Sequence, residues 1–189
     1  MCMTRKQLLF VRLLNEVNRE GTADLLEWLF ASGFFEAPAS RKDHLCCKEG
    51  LLTHSINTMY AAVTILANLQ RQGFVREVKR ESAIVASLLH DVCKADRYVQ
   101  NEDGSYSVQT LFPVGHGEKS VMQILRTGYR LTDDEIAAIR WHMGPFRLCF
   151  NSAEEILHYE KAQRTIPLVE IIHLADSLVA NIVEQEKAE

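Results

Sequence analysis

The sequence predicts an all-α chain folded as a single-domain helical bundle. Apolar residues recur at helical spacing through most segments of the chain. The 9 Gly and 4 Pro among 189 residues are too few for a loop-rich architecture. No repeat, linker or low-complexity stretch divides the run of helices, and a chain of this length buries roughly 70% of its unfolded surface around one core.

The elements follow in order. Leu8, Leu9, Val11, Leu13, Leu14 and Val17 mark a first helix over Lys6–Val17, and Leu25, Leu26, Trp28, Leu29 and Phe30 mark a second over Asp24–Phe30. Ser32–Cys47, with Gly33 and Pro38, breaks the period and predicts a connecting loop. The longest apolar stripe, from Leu51 through Leu69, predicts a helix over Gly50–Gln70 that ends at Gly73. Glu81–His90 predicts another, whose small residues Ala83, Ala86 and Ser87 let a neighbouring backbone come close. Polar alternation around Asp103-Gly104 predicts a surface β-hairpin near residues 98–110. Helices return over Gly117–Arg126 and Thr132–His142. Thr132 and Glu135 form a capping-box pair, and Ser152 and Glu155 repeat it before the next helix. The last helix opens near Pro167, favoured in a first turn, and runs through Ile182 to a charged tail.

Composition narrows the function classes. A formal charge of -4 gives no bulk attraction for a polyanion, which argues against a general duplex-binding protein but leaves room for a short anionic ligand in a local cationic pocket. Five cysteines without framework spacing, and no charged start followed by an apolar run, predict reduced thiols and a cytoplasmic protein. No apolar stretch approaches the roughly 20 residues of a membrane-spanning helix.

Polar residues placed where a core should be point to the chemistry. Asp176 follows Ile172 by four and precedes Val179 by three, which sets a carboxylate on a face that should be buried. Such a group needs a partner, and a metal ion is one of few able to offset its desolvation; a helix cap or an arginine is the other reading. His142 lies along the stripe of Ile136 and Ile139, and His54 follows Leu51 by three. Each alone also reads as a hydrogen-bonded core histidine, and His116, between Gly115 and Gly117, as a turn residue. The adjacent pair His90-Asp91, with Lys94 three residues on, can bring two ligand types to one ion. Together these residues offer nitrogen and oxygen donors suited to Mn, Fe, Co, Ni or Zn.

This ordered set resembles the HD-domain superfamily: a lone His (His54 in GLLTHS), an adjacent His-Asp (His90-Asp91 in LLHDVCK) and a late Asp (Asp176 in HLADSLVA). The resemblance spans about Gly50 to Ala180 and implies an HD-type domain over 46–189, with 1–45 as an N-terminal helical extension packed on it. Members with two metals add two histidines, and His116 in GHGEKS and His142 in RWHMG fall in those places. The resemblance thus implies a first divalent ion on His54, His90, Asp91 and Asp176, with Asp91 bridging to a second on His116 and His142. Lys94 matches the lysine of the family's HDxxK element, implied to lie near a substrate phosphate, with Lys119 a second candidate. Cys93 stands where many relatives have glycine, and the elements typical of cyclic-dinucleotide phosphodiesterases are absent.

The implied activity is a phosphohydrolase, acting through metal-activated water on a phosphomonoester or phosphodiester of a nucleotide or a short single-stranded nucleic acid. The resemblance also admits a di-iron oxygenase or a non-catalytic nucleotide-binding module. His173, Glu118 and the Cys46-Cys47 pair are read as supporting, solvated and structural residues, respectively.

Overall fold

In the computed structural model, which describes residues 3–109, 112, 114–144 and 152–185, the described residues form eight α-helices and one hairpin. The helices are α1 (Arg5–Val17), α2 (Thr22–Ala31), α3 (Gly50–Arg71), α4 (Arg80–Leu89), α5 (His116–Arg126), α6 (Asp133–Trp141), α7 (Ala153–Thr165) and α8 (Pro167–Leu178). Strands β1 (Tyr98–Gln100) and β2 (Tyr106–Val108) lie between α4 and α5 and pair antiparallel, with Val99 opposite Ser107. Thr110, the end of the predicted ribbon, and residues 186–189 of the predicted tail lie outside the described residues.

Local chemistry sets the helix ends. At α1 the Thr4 hydroxyl accepts from the Gln7 N–H while the Gln7 side chain accepts from the Thr4 N–H, and the helix stops at left-handed Asn18. The predicted box at α6 is complete, Thr132 and Glu135 satisfying each other's backbone donors. At α7 the Ser152 hydroxyl accepts from the Glu155 N–H, the forward half of the predicted box. The hairpin turn is longer than a two-residue Asp-Gly turn: it spans 101–105, with Asn101 donating to the Ser105 carbonyl and Gly104 at φ 82°.

Helices α3, α4 and α8 pack on one another, α6 closes on α4 and α8, and α5 lies on α6. Leu51, Leu52, Leu66, Leu88, Leu89, Ile139, Ile171 and Ile172 fill the space between them. Each fully buried aliphatic side chain of this kind contributes about 1.5–3 kcal/mol. Ala83, Ala86 and Ser87 of α4 are all buried, so this helix can sit at the centre of the bundle. Phe10 and Leu14 of α1 and Leu25 and Leu29 of α2 belong to the same core, and α1 lies across α3 and α4.

The end of α8 departs from the predicted continuous helix. After Leu178 the chain widens into a π-helical turn over Val179–Val183, closed by the Glu184 N–H on the Val179 carbonyl. Leu178 and Ile182 are exposed, and Glu184 is drawn back to the bundle at 8% exposure. Among the described residues no single helix is long and apolar enough to cross a membrane.

A single glycine sets how near α5 comes to α6. A Cβ on Gly117 would stand 2.1 Å from the Arg140 carbonyl oxygen, so the two helices meet through bare backbone. Gly117→Ala is predicted to lower stability by about 1–3 kcal/mol, as for other overpacked contacts. A urea midpoint that falls with an unchanged slope checks this.

Candidate metal centre

Five helices deliver one polar residue or pair each to the middle of the bundle. His54 comes from the second turn of α3, His90 from the C-cap of α4 and Asp91 from the residue after it. His116 is the first residue of α5, His142 the C-cap of α6 and Asp176 part of the last turns of α8. Helix ends serve this purpose well, because the chain can turn away while the side chain stays inside. His54, His90, Asp91 and His142 are no more than 2% exposed.

All six predicted residues converge. His54 Nε2 lies 3.0 Å from Asp176 Oδ1 and 3.3 Å from His90 Nε2, and His90 Nε2 lies 3.4 Å from Asp91 Oδ2. On the other side of Asp91, Oδ1 is 2.5 Å from His116 Nε2 and 3.5 Å from His142 Nε2. The Asp91 carboxylate is therefore shared: Oδ2 faces the His54, His90 and Asp176 half, and Oδ1 faces the His116 and His142 half.

The imidazoles are aimed from behind. His90 Nδ1 donates to the Ser87 carbonyl at 2.7 Å and His142 Nδ1 to the Ile139 carbonyl at 2.7 Å, which leaves an Nε2 lone pair directed inward on each. His54 Nδ1 is held by Glu184 Oε2 at 2.9 Å, and the same carboxylate takes His44 Nδ1 at 2.7 Å and Asn57 Nδ2 at 2.8 Å. His116 differs, its Nδ1 meeting Cys93 Sγ at 3.0 Å and an Arg97 nitrogen at 3.5 Å.

Burial and charge act against each other throughout. Burial alone would raise the carboxyl of Asp91, but Lys94, His90 and His116 hold it well below its ordinary range. Burial disfavours a charged His54, yet the hydrogen bonds it donates to Asp176 and Glu184 overcome it and push the imidazole up to about 9. For His116 burial wins over Asp91, and the ring falls to about 4. Asp176 is held below its ordinary range against burial by its hydrogen bond to His54 and by the charges of His90 and His54. The Cys93 thiol is pushed up to about 12 by burial and by Asp91.

These residues fit a divalent cation. His142 Nε2 is buried without a hydrogen-bond partner, since the 3.5 Å to Asp91 is longer than such a bond. The His54 and His90 Nε2 atoms face each other at 3.3 Å, where an ion would satisfy both once His54 has lost its proton. The donors fall into neighbouring groups, His54-His90-Asp176, His90-Asp91-His142 and Asp91-Cys93-His116, each with atoms within 4.8 Å. The cluster is thus able to hold a metal ion, and its imidazole and carboxylate donors suit first-row transition metals.

The remaining predicted residues stand nearby. Lys94 Nζ binds Asp91 Oδ2 at 2.6 Å, at the edge of the cluster. Lys119 is taken up by Asp96 at 2.5 Å. His173 stays outside the cluster and holds the His142 carbonyl at 2.7 Å, its ring filling the space that a Cβ on Gly144 would need. Glu118 pairs with Arg140 at 3.1 Å, and Cys46 and Cys47 are exposed free thiols. His44, Asn57 and Glu184 escape a reading of the sequence alone: His44 sits in an aperiodic loop and Glu184 in a run of charges. A cavity of about 340 Å³ opens beside His116 and Cys93, with Arg97, Phe112 and Trp141 among its walls.

A family model described as HD domain matches residues 51–181. Among curated proteins, the dihydroneopterin 2',3'-cyclic phosphate phosphodiesterase of Methanocaldococcus jannaschii is similar, at 29% identity over 103 residues. That match covers 54% of this chain and 41% of the relative, so the chain spans about two fifths of the length of the protein it matches. No solved structure matches the chain.

With His54 raised to about 9, its imidazole is protonated at neutral pH and must lose that proton to become a ligand. Metal affinity is predicted to rise with pH up to about 9, with proton release on binding. Calorimetry in buffers of differing ionisation heat checks this, and pH-independent affinity would contradict it. Glu184→Gln is predicted to weaken the metal roughly 10- to 100-fold by loosening His54, with the fold retained.

Proposed function

Because the chain belongs to the HD domain family, we propose that it is a metal-dependent phosphohydrolase with two ion positions on either side of Asp91, acting on a small phosphorylated molecule of nucleotide type. The observation that carries this reading is the division of the Asp91 carboxylate, with one oxygen turned to each half of a six-residue cluster. His54, His90, Asp91 and Asp176 would hold the first ion, and Asp91, His116 and His142 the second. When bound, such ions act as Lewis acids and lower the pKa of a water molecule to roughly 7.

The chain's own residues supply the rest. Asp91 is ionised and buried, so its two oxygens would offer negative charge to both positions. Lys94 is cationic, its ammonium raised above its ordinary pKa against burial by Asp91. It has three N–H donors, and Asp91 occupies one; the other two have no partner among the described residues and can meet charge developing on a phosphoryl oxygen. The backbone carbonyls of Ser87 and Ile139 keep His90 and His142 in the ligand tautomer, and Glu184 does the same for His54.

The substrate class rests on two supports. The cavity beside His116, at about 340 Å³, falls at the small end of the usual range for ligand sites, roughly 300–1,000 Å³. The similar archaeal protein is named for dihydroneopterin 2',3'-cyclic phosphate. Mononucleotides and their cyclic phosphates therefore fit better than long nucleic acids.

The test is metal analysis of protein prepared without chelators, followed by assay of mono- and dinucleotides, 2',3'-cyclic phosphates, short RNA and simple phosphomonoesters with Mn, Fe, Co, Ni or Zn. Asp91→Ala is predicted to lose both ions and all turnover, whereas His116→Ala keeps the first ion and loses the second. Lys94→Ala is predicted to retain its metals and lower kcat about 10²- to 10³-fold, as for other donors to a charged transition state. A metal-loaded protein inert towards every phosphoester would refute the hydrolase reading.

A further inference from the structure

The cations around the cavity are not equivalent. Of those that line it, Lys119 is engaged by Asp96 and Arg140 both by Glu118 and by the face of Trp141 at 3.6 Å, while Lys94, outside the lining, is engaged by Asp91. Arg97 lines the same cavity with no carboxylate partner among the described residues. Its Nε is buried without any hydrogen-bond partner. Its Nη1 reaches only His116 Nδ1 at 3.5 Å, beyond a good hydrogen bond, and its guanidinium stands 6.0 Å from the Tyr98 ring, at the limit of a cation–π contact.

That arrangement is unbalanced on its own. A guanidinium stays charged in a protein, and here it sits against a histidine assigned to a dication. Two positive centres on opposite sides of one imidazole repel unless an anion joins them. The backbone holds Arg97 in this position, because the Gln109 N–H donates to the Arg97 carbonyl at 2.9 Å and the Gln109 side chain donates to the Asp96 carbonyl at 3.1 Å. The hairpin thus closes the segment that carries Arg97 beside the cavity.

Building on the hydrolase reading, we propose that Arg97 is the substrate's phosphate-binding side chain, forking its guanidinium onto non-bridging phosphoryl oxygens in the cavity beside His116. Arginine suits this task because its planar donors match two phosphoryl oxygens at once, which a lysine cannot do. Phe112 and Trp141 line the same cavity and offer apolar surface to a planar group attached to that phosphate. Lys119 keeps its carboxylate, Lys94 shares its donors between Asp91 and the charge that develops during reaction, and Arg97 supplies recognition of the bound phosphate.

The probe is inorganic phosphate, titrated into the manganese-loaded full chain with metal content measured alongside. Arg97→Ala is expected to bind phosphate roughly 10- to 100-fold more weakly, the loss of a charge-assisted pair, with unchanged metal content and thermal midpoint. Arg97→Lys recovers part of the affinity, and added guanidinium ion restores binding to Arg97→Ala. Phosphate affinity equal to wild type in Arg97→Ala overturns the proposal and leaves the hydrolase reading intact. So does loss of metal in both Arg97 variants, which would make the residue a support for His116. A metal-loaded wild type that binds no phosphate and cleaves no phosphoester overturns both.

Discussion

Two carboxylates and four imidazoles have been withdrawn from water into one small volume, and the rest of the structure is arranged around that burden. A buried anion such as Asp91 is costly unless positive charge and hydrogen bonds surround it. Within the chain, Lys94 and the imidazoles compensate only in part, for His142 Nε2 is buried without a hydrogen-bond partner and the His90 and His54 Nε2 atoms are set against each other at 3.3 Å. A divalent cation resolves both problems together, meeting the lone pairs and balancing the carboxylates.

Precision comes from behind the cluster. Two of the histidines are oriented by carbonyls three residues earlier in their own helices, so ending α4 and α6 at His90 and His142 also aims the ligands. His54 has no such carbonyl and relies on Glu184, which the π-helical turn after α8 brings back to the bundle. A regular helix through Val183 would advance the chain differently and leave that carboxylate elsewhere. Wider turns of this type are uncommon and tend to occur at functional sites. Close packing of α5 on α6 through Gly117 sets the remaining imidazole, His116, against Asp91.

Much of this is legible in the sequence. The bundle can be read because apolar spacing and caps such as Thr132 with Glu135 are local signals; Asp176, His142 and His54 stand out as polar groups beside apolar stripes and His90-Asp91 as an adjacent pair, but only the resemblance to an ordered family motif joins the six, His116 included, into one site. Three things cannot be read. The π-helical turn depends on packing, since Val179–Val183 has a helical pattern that does not distinguish one winding from another. His44 and Glu184 meet across 140 residues, and neither lies on a periodic face. The standing of each cation depends on its partner: Asp96 claims Lys119, whereas Arg97 has none among the described residues, and sequence spacing carries no trace of either.

The most direct examination is crystallographic anomalous scattering at the absorption edge of the bound metal, using protein that has never met a chelator. Two peaks are predicted, one among His54, His90 and Asp176 and one against His116 and His142, with the Asp91 carboxylate between them. Density confined to another part of the molecule, or imidazoles that remain without an ion when divalent metal is in excess, would contradict the central claim.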